Sequence, residues 1–238
     1  LDPHGICNMK RRMRGTATNL RYLLRDGGHH FLGNDGNDIL VFGRSSAFHY
    51  LATAPMLQGD GTFKCVVLPF TQLYIIHAVL ANAVSFPILF CLMKGKTQPI
   101  YRRLLNLIEG LDDARGMTAL NRPVKVMCDF ERPFINAVGQ FTGGASVMCC
   151  FFHFVGNVRK QAQKHDARLT EAAGQNQEMI QAANKAKRAL MMLPLLPEEL
   201  ISTAVVDLVV GRWKRDFPNH NNALKPLRDY LVRNYAGP

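Results

Sequence analysis

No run of about twenty apolar residues, the length a membrane-spanning helix needs, occurs in this 238-residue chain. The nearest approach, Val79 to Met93, is interrupted by Asn82, Ser85 and Pro87 and reads as paired strands. Disulfide-like spacing is missing as well. Of the six cysteines (Cys7, Cys65, Cys91, Cys128, Cys149, Cys150), several sit inside apolar runs, where reduced, buried thiols are the default. The expectation is an intracellular chain with no membrane partner. The basic stretch Met9 to Arg14 has no apolar core behind it, so it does not read as a secretory signal. The first residue is Leu1, and the chain is expected to be a piece of a longer product.

Acid is scarce relative to base. Lysine and arginine number 29 against 18 aspartates and glutamates, a net charge of +11. Such a balance suits a polyanionic partner, most simply nucleic acid, although a basic soluble protein with no such partner satisfies it too. A phosphate-binding loop is absent: Gly95-Lys96-Thr97 follows a strand signal, but the motif needs a glycine five positions earlier, where Phe90 stands.

What is present is a mixed pattern in a chain long enough for one large domain or two small ones. Residues 1–36 are polar, basic and rich in glycine, and read as a partial N-terminal region. Strands are predicted at Ile39–Phe42, Gly61–Leu68, Gln72–Leu80 and Phe86–Met93, the last three as an antiparallel meander. A helix follows over Gln98–Glu109, with Ile100, Leu104, Leu105 and Ile108 at helical spacing. Then come a strand at Val124–Cys128, a helix at Pro133–Gln140, a strand at Ala145–Phe152 and a basic helix at Phe154–His165. Beyond Asp166 the chain turns alanine- and glutamine-rich and helical, with Pro197-Glu198-Glu199 suited to a helix first turn.

This order predicts an α/β fold of the ribonuclease H-like type: three antiparallel strands feeding a mixed sheet with parallel strands and helices on its faces. The expected division is a core over 37–165, an all-helical insertion over 166–203, and C-terminal helices over 204–238 that complete the core.

Two acids stand out within that order. Asp60 opens Asp60-Gly61-Thr62-Phe63 at the edge of a strand, and Asp129 opens Asp129-Phe130-Glu131 at the end of another. Taken singly, an Asp-Gly pair is commonly a turn, and an aspartate after a strand is commonly a helix cap. Together, on strands predicted to be adjacent, they can hold divalent ions about 3.5–4 Å apart for phosphoryl-transfer chemistry. Cys150-x-x-His153 has metal-ligand spacing without a second pair to complete a zinc site. It reads as a strand-to-helix junction with His153 turned toward the acids, or as a core cysteine beside a partly exposed histidine. The cations Lys160, Lys164 and Arg168, and Lys185, Lys187 and Arg188, lie on helices as solvated faces or as contacts to a nucleic-acid backbone.

Several strings in order carry a family resemblance. They are Asp60-Gly61-Thr62-Phe63, Gln72-Leu73-Tyr74-Ile75-Ile76-His77, and Leu92-Met93-Lys94-Gly95-Lys96-Thr97 with Tyr101. Asp129-Phe130-Glu131 with Ala137, Cys150-Phe151-Phe152-His153 with Asn157, and Leu196-Pro197-Glu198-Glu199 complete them. From about Ile39 to Tyr230 the chain resembles the Mutator-like (MULE) transposases, particularly the group associated with FLYWCH zinc-finger proteins.

The resemblance implies a DDE-type catalytic domain that cleaves and joins DNA phosphodiesters with Mg²⁺ or Mn²⁺. It also implies double-stranded DNA (transposon ends and target) as partner, a homo-oligomer when active, and a nuclear location. Asp60 and Asp129 match the first two catalytic acids and would hold the metal. Glu131, Cys150 and His153 would support them. The third acid of the family is a glutamate. Here Asp207, in Ala204-Val205-Val206-Asp207-Leu208, is the nearest acid, with Glu198 and Glu199 as fallbacks. That departure leaves open a second reading, a transposase-derived DNA-binding or regulatory protein that no longer cleaves.

Overall fold

The computed structural model describes residues 31–63, 66–114, 125–141, 146–173, 176–197, 200–201, 203–220 and 222–235. The chain divides after Cys149 into two compact units. Among the described residues, no helix is long and apolar enough to cross a membrane.

The first unit is a mixed α/β layer. Its strands are β1 (Phe31–Asn34), β2 (Ile39–Gly43), β3 (Met56–Thr62), β4 (Gln72–Val79), β5 (Ser85–Met93), β6 (Lys125–Cys128) and β7 (Ser146–Cys149). Its helices are α1 (Ala47–Thr53), α2 (Gln98–Asp113) and α3 (Arg132–Phe141). The seven strands form one sheet in the order β1-β2-β5-β4-β3-β6-β7. Every neighbouring pair from β1 to β3 is antiparallel, whereas β3 with β6 and β6 with β7 are parallel.

The antiparallel part therefore has five strands where the sequence predicts three. Beside the predicted meander, β2 is the strand predicted at Ile39–Phe42 and β1 is unpredicted; the two form a hairpin paired through β2 to β5. Its loop is built by Asp35, whose Oδ1 accepts the backbone N–H groups of Asn37, Asp38 and Ile39, and by Gly36 at φ +79°. Asp35 is held below its usual carboxylate range: burial pushes it up, but the three backbone donors and Arg103 outweigh that. Only Phe31 and Leu32 give β1 an apolar signal, and Gly33 dilutes it.

The first meander strand is also displaced. It occupies Met56–Thr62 rather than Gly61–Leu68, so Asp60-Gly61 lies inside a strand and not in a turn. Gly59 and Gly61 hide the strand from propensity reasoning, yet β3 is central and paired on both sides. The strand predicted to run to Phe152 ends at Cys149, and helix α4 begins at Phe151. The buried residues Cys150, Phe154, Val158 and Ala162 already follow helical spacing there.

One sheet face carries the main core. Ile39, Val41, Leu57, Tyr74, Ile76, Leu89, Cys91 and Met93 from the strands meet Phe48 and Leu51 of α1, Tyr101, Leu104 and Ile108 of α2, and Phe134 of α3. An aromatic triad sits at its centre. Tyr74 lies 5.4 Å from Tyr101 and 4.9 Å from Phe134, and Tyr101 lies 5.2 Å from Phe134 (ring centroids). On the other face, Val67, Phe70 and Leu92 form a small cluster with Leu40, Phe42 and Leu73.

The second unit is helical, with α4 (Phe151–Ala173), α5 (Gln177–Met191), α6 (Thr203–Asp216) and α7 (Lys225–Asn234). Met179, Ala183, Ala186, Val210, Trp213 and Leu224 form a core of its own. The buried Trp213 satisfies its indole N–H by donating to the His220 carbonyl at 2.9 Å.

Candidate active site

Asp60 and Asp129 are carried by neighbouring parallel strands. β3 and β6 pair Met56 with Lys125, Leu57 with Val126 and Gln58 with Met127. The same register carried two residues further sets Asp60 level with Asp129, which follows directly on the end of β6. Adjacent strands are about 4.8 Å apart, so the two residues are neighbours at one sheet edge. Side chains alternate along β3, and Asp60 shares the face of Gln58, opposite the face on which Leu57 packs into the core. Both aspartates are half-buried. The edge where parallel strands end is also where α/β sheets collect ligands.

Asp129 is fixed by the chain that follows it. Its Oδ1 accepts the Glu131 N–H at 3.0 Å, and the Glu131 carbonyl accepts the N–H groups of Phe134 and Ile135 to start α3. The helix-capping reading and the site reading are thus compatible: one oxygen shapes the turn, and a carboxylate has lone pairs to spare.

Beside Asp129 lies a chain of buried hydrogen bonds. Gln72, fully buried at the start of β4, donates through Nε2 to the Gly95 carbonyl and to the Tyr101 hydroxyl, each at 3.1 Å. Tyr101 in turn donates to Glu131 Oε2 at 2.9 Å. Lys96 Nζ stands 3.9 Å from Glu131 Oε1 and 5.3 Å above the Phe63 ring. Burial pushes the Glu131 carboxyl up, and the Asp129 charge adds to that, while the Tyr101 hydrogen bond and Lys96 oppose both. Four strings far apart in sequence are brought together here. Sequence reasoning missed Gln72, Lys96 and Tyr101 as members of the site. The one available signal was a polar Gln72 opening an otherwise apolar strand.

The raised Glu131 has a consequence for stability. A carboxyl whose folded pKa lies above its unfolded value adds stability below the unfolded value, lost as pH rises through the folded one. Tyr101→Phe removes the donor that favours ionised Glu131. It is expected to cost about 1–3 kcal/mol near pH 7 and less near pH 4, where the carboxyl is protonated. Urea unfolding at the two pH values checks this.

Two further groups border the acids. His77 on β4 pairs with Gln58 and so shares the face of Asp60; burial lowers its pKa, and the Asp60 charge partly restores it. Cys149 pairs with Cys128 across β6 and β7. A hydrogen bond from Cys128 lowers its thiol to about 7, with Arg132 assisting and burial and Asp129 opposing.

The remaining residues of interest belong to the second unit. Cys150 is buried at the entry to α4 and its carbonyl accepts the Phe154 N–H, while His153 is half-buried one turn along. Asp207 is exposed on α6 and held two-pronged by Arg228, with Nε to Oδ1 at 2.7 Å and Nη2 to Oδ2 at 3.3 Å. The Arg228 hydrogen bonds hold the Asp207 carboxyl below its usual range. Glu198 and Glu199 lie outside the described residues.

The donor chemistry suits a hard divalent ion. Asp60 and Asp129 offer oxygen only, and Mg²⁺ is commonly held by one or two carboxylates together with water and substrate phosphate. Among the described residues, no third aspartate, glutamate, histidine or cysteine joins them in a ready-made cluster. No curated protein matches the chain. Residues 56–157 match the family model of the MULE transposase domain, a span that takes in Asp60, Asp129, Glu131, Cys150 and His153 and ends before Asp207.

Proposed function

We propose that this chain carries the catalytic core of a DDE-type DNA transposase, of ribonuclease H-like fold and from the FLYWCH-associated group of MULE elements. The observation that carries the reading is the level placement of Asp60 and Asp129 on adjacent parallel strands, inside the segment that matches the MULE transposase domain. The meander β3-β4-β5, with β6 and β7 added in parallel beside its first strand, supports the fold assignment. The finer subgroup rests on the motif strings quoted above.

In this reading Asp60 and Asp129 hold Mg²⁺ or Mn²⁺ at the sheet edge. When bound, such ions polarise a phosphodiester and assist deprotonation of the attacking water or DNA hydroxyl. Asp129 is kept in position by its bond to the Glu131 N–H, and Glu131 by Tyr101. Lys96, mostly exposed beside Glu131, is placed to meet a DNA phosphate. Cys150 and His153, at the start of α4, match the Cys-x-x-His motif that the resemblance implies. Asp207, the acid nearest to the family's third one, is engaged by Arg228. The substrate is double-stranded DNA, processed by a homo-oligomer in the nucleus.

The test is strand transfer with Mg²⁺ or Mn²⁺. The parent joins a DNA end to target and Asp129→Ala does not; equal activity in the two sinks the reading. The engagement of Asp207 by Arg228 favours a second reading, a DNA-binding descendant that no longer cleaves. That protein would bind DNA and transfer no strand in any metal.

A further inference from the structure

Helices α4 and α7 enclose two adjoining concavities within the second unit, of about 440 and 520 Å³, that share Gln161 and Tyr230 in their linings. We propose that this groove binds the sugar-phosphate backbone of DNA, gripping phosphates with Lys160 and Lys164 from α4 and Lys225 and Arg233 from α7. The inference rests on the DNA-processing reading above and adds to it a binding surface outside the acid site.

Lys160 and Lys164 lie four residues apart on α4, beside Gln161, so their charges stand on one face about 6 Å apart. Lys225 and Arg233 are eight residues apart on α7, about 12 Å along the axis, with Tyr230 between them. All four cations are exposed, and none forms an ion pair with a described residue. The one carboxylate among the described lining residues, Asp229, is engaged by Arg228 at 3.1 Å.

Like charges at i,i+4 and across a groove repel, a cost that a bound polyanion would reverse. The floor is ordered enough to serve as a platform. The Tyr230 and Tyr235 hydroxyls bond at 3.1 Å, Asn157 Nδ2 donates to Tyr235 at 3.3 Å, and Phe154 packs edge-on to Tyr235 at 4.8 Å. Burial and the Tyr235 bond keep the Tyr230 phenol protonated, so it adds no negative charge. Amides, an aromatic ring and cations without carboxylate competition match a phosphate backbone better than an acidic peptide, whose side chains offer no regular charge spacing.

The test uses the full chain and a fluorescein-labelled DNA duplex in EDTA, read by anisotropy across a salt series. Replacing Lys160, Lys164, Lys225 and Arg233 together by glutamine is expected to weaken binding at least about a hundredfold. It also flattens the slope of log affinity against log salt by about 3 to 4, one counterion per lost contact. The pair Lys160→Gln and Lys164→Gln, which keeps α7 intact should the fourfold variant unfold, reduces the slope by about 2. An unchanged affinity and slope in either folded variant overturns the groove, and so does competition by poly-glutamate as effective as that by unlabelled DNA. Binding is read in EDTA, where no metal-dependent strand transfer runs. A chain that binds through these cations yet transfers no strand therefore keeps the groove and loses the catalytic reading, and the converse result loses the groove alone.

Discussion

Asp129→Ala is expected to lower metal-dependent strand transfer by at least about a thousandfold. Divalent ions contribute several kcal/mol of charge stabilisation to phosphoryl transfer, and about 4 kcal/mol corresponds to that factor in rate. Asp129 follows directly on β6, level with Asp60, so removing it takes away one of the two carboxylates proposed to hold the metal. The structural loss is small by comparison. The side chain is half-buried and its hydrogen bond to the Glu131 N–H has the value of a helix-capping contact, about 1 kcal/mol. Rates of strand transfer measured alongside thermal unfolding separate the two effects: activity disappears while the unfolding midpoint falls by only about 2–4 °C.

Gly59→Ala is expected to destabilise the first unit strongly for a change of one methyl group. A Cβ at position 59 would overlap the Tyr74 hydroxyl and lie 2.9 Å from Tyr74 Cζ. Tyr74 cannot yield, because it is 2 % exposed and wedged against Tyr101 and Phe134. Overpacking of this kind costs about 3 kcal/mol, the upper end of its usual range, and β3 carries Asp60 one residue further on. The expected fall in unfolding midpoint is about 6–12 °C for a chain of this size. Tyr74→Phe offers an internal check. The Tyr74 hydroxyl is buried without a hydrogen-bond partner, so its removal alone is close to neutral. Combined with Gly59→Ala it recovers part of the loss, a non-additivity that a double-mutant cycle measures directly. Strictly additive losses would contradict the contact.

Much of this was legible from the amino acids. The apolar runs of β4 and β5, the helical spacing of α2, and an acid at the end of β6 all appear where local pattern and tertiary role agree. The limits of β3 were not legible, because its two glycines lower strand propensity. They are there for a reason that only tertiary structure supplies, the Tyr74 side chain lying over the strand. The strand Ile39–Phe42 was read, but its hairpin partner β1 escaped, since a single aspartate organises the loop and β1 is four residues long. At the site, sequence placed Asp60 and Asp129 on separate strands but could not give the register that sets them level. The buried Gln72–Tyr101–Glu131 chain leaves only one local trace, the polar Gln72 at the start of an apolar strand, because its members lie on β4, α2 and the turn before α3. Asp207 was named only as the acid nearest to the glutamate that the resemblance implies. Its two-pronged bond to Arg228 depends on how α6 and α7 pack, which no linear pattern records.

The central claim is that Asp60 and Asp129 together hold a divalent ion, and titration of Mn²⁺ into the DNA-free chain, followed by calorimetry, tests it most directly. Saturable binding is expected in the parent, weakened about tenfold or more by Asp60→Asn and, separately, by Asp129→Asn, since each removes a charged oxygen donor. Mn²⁺ binding of equal strength in all three proteins, or none in the folded parent, would contradict it.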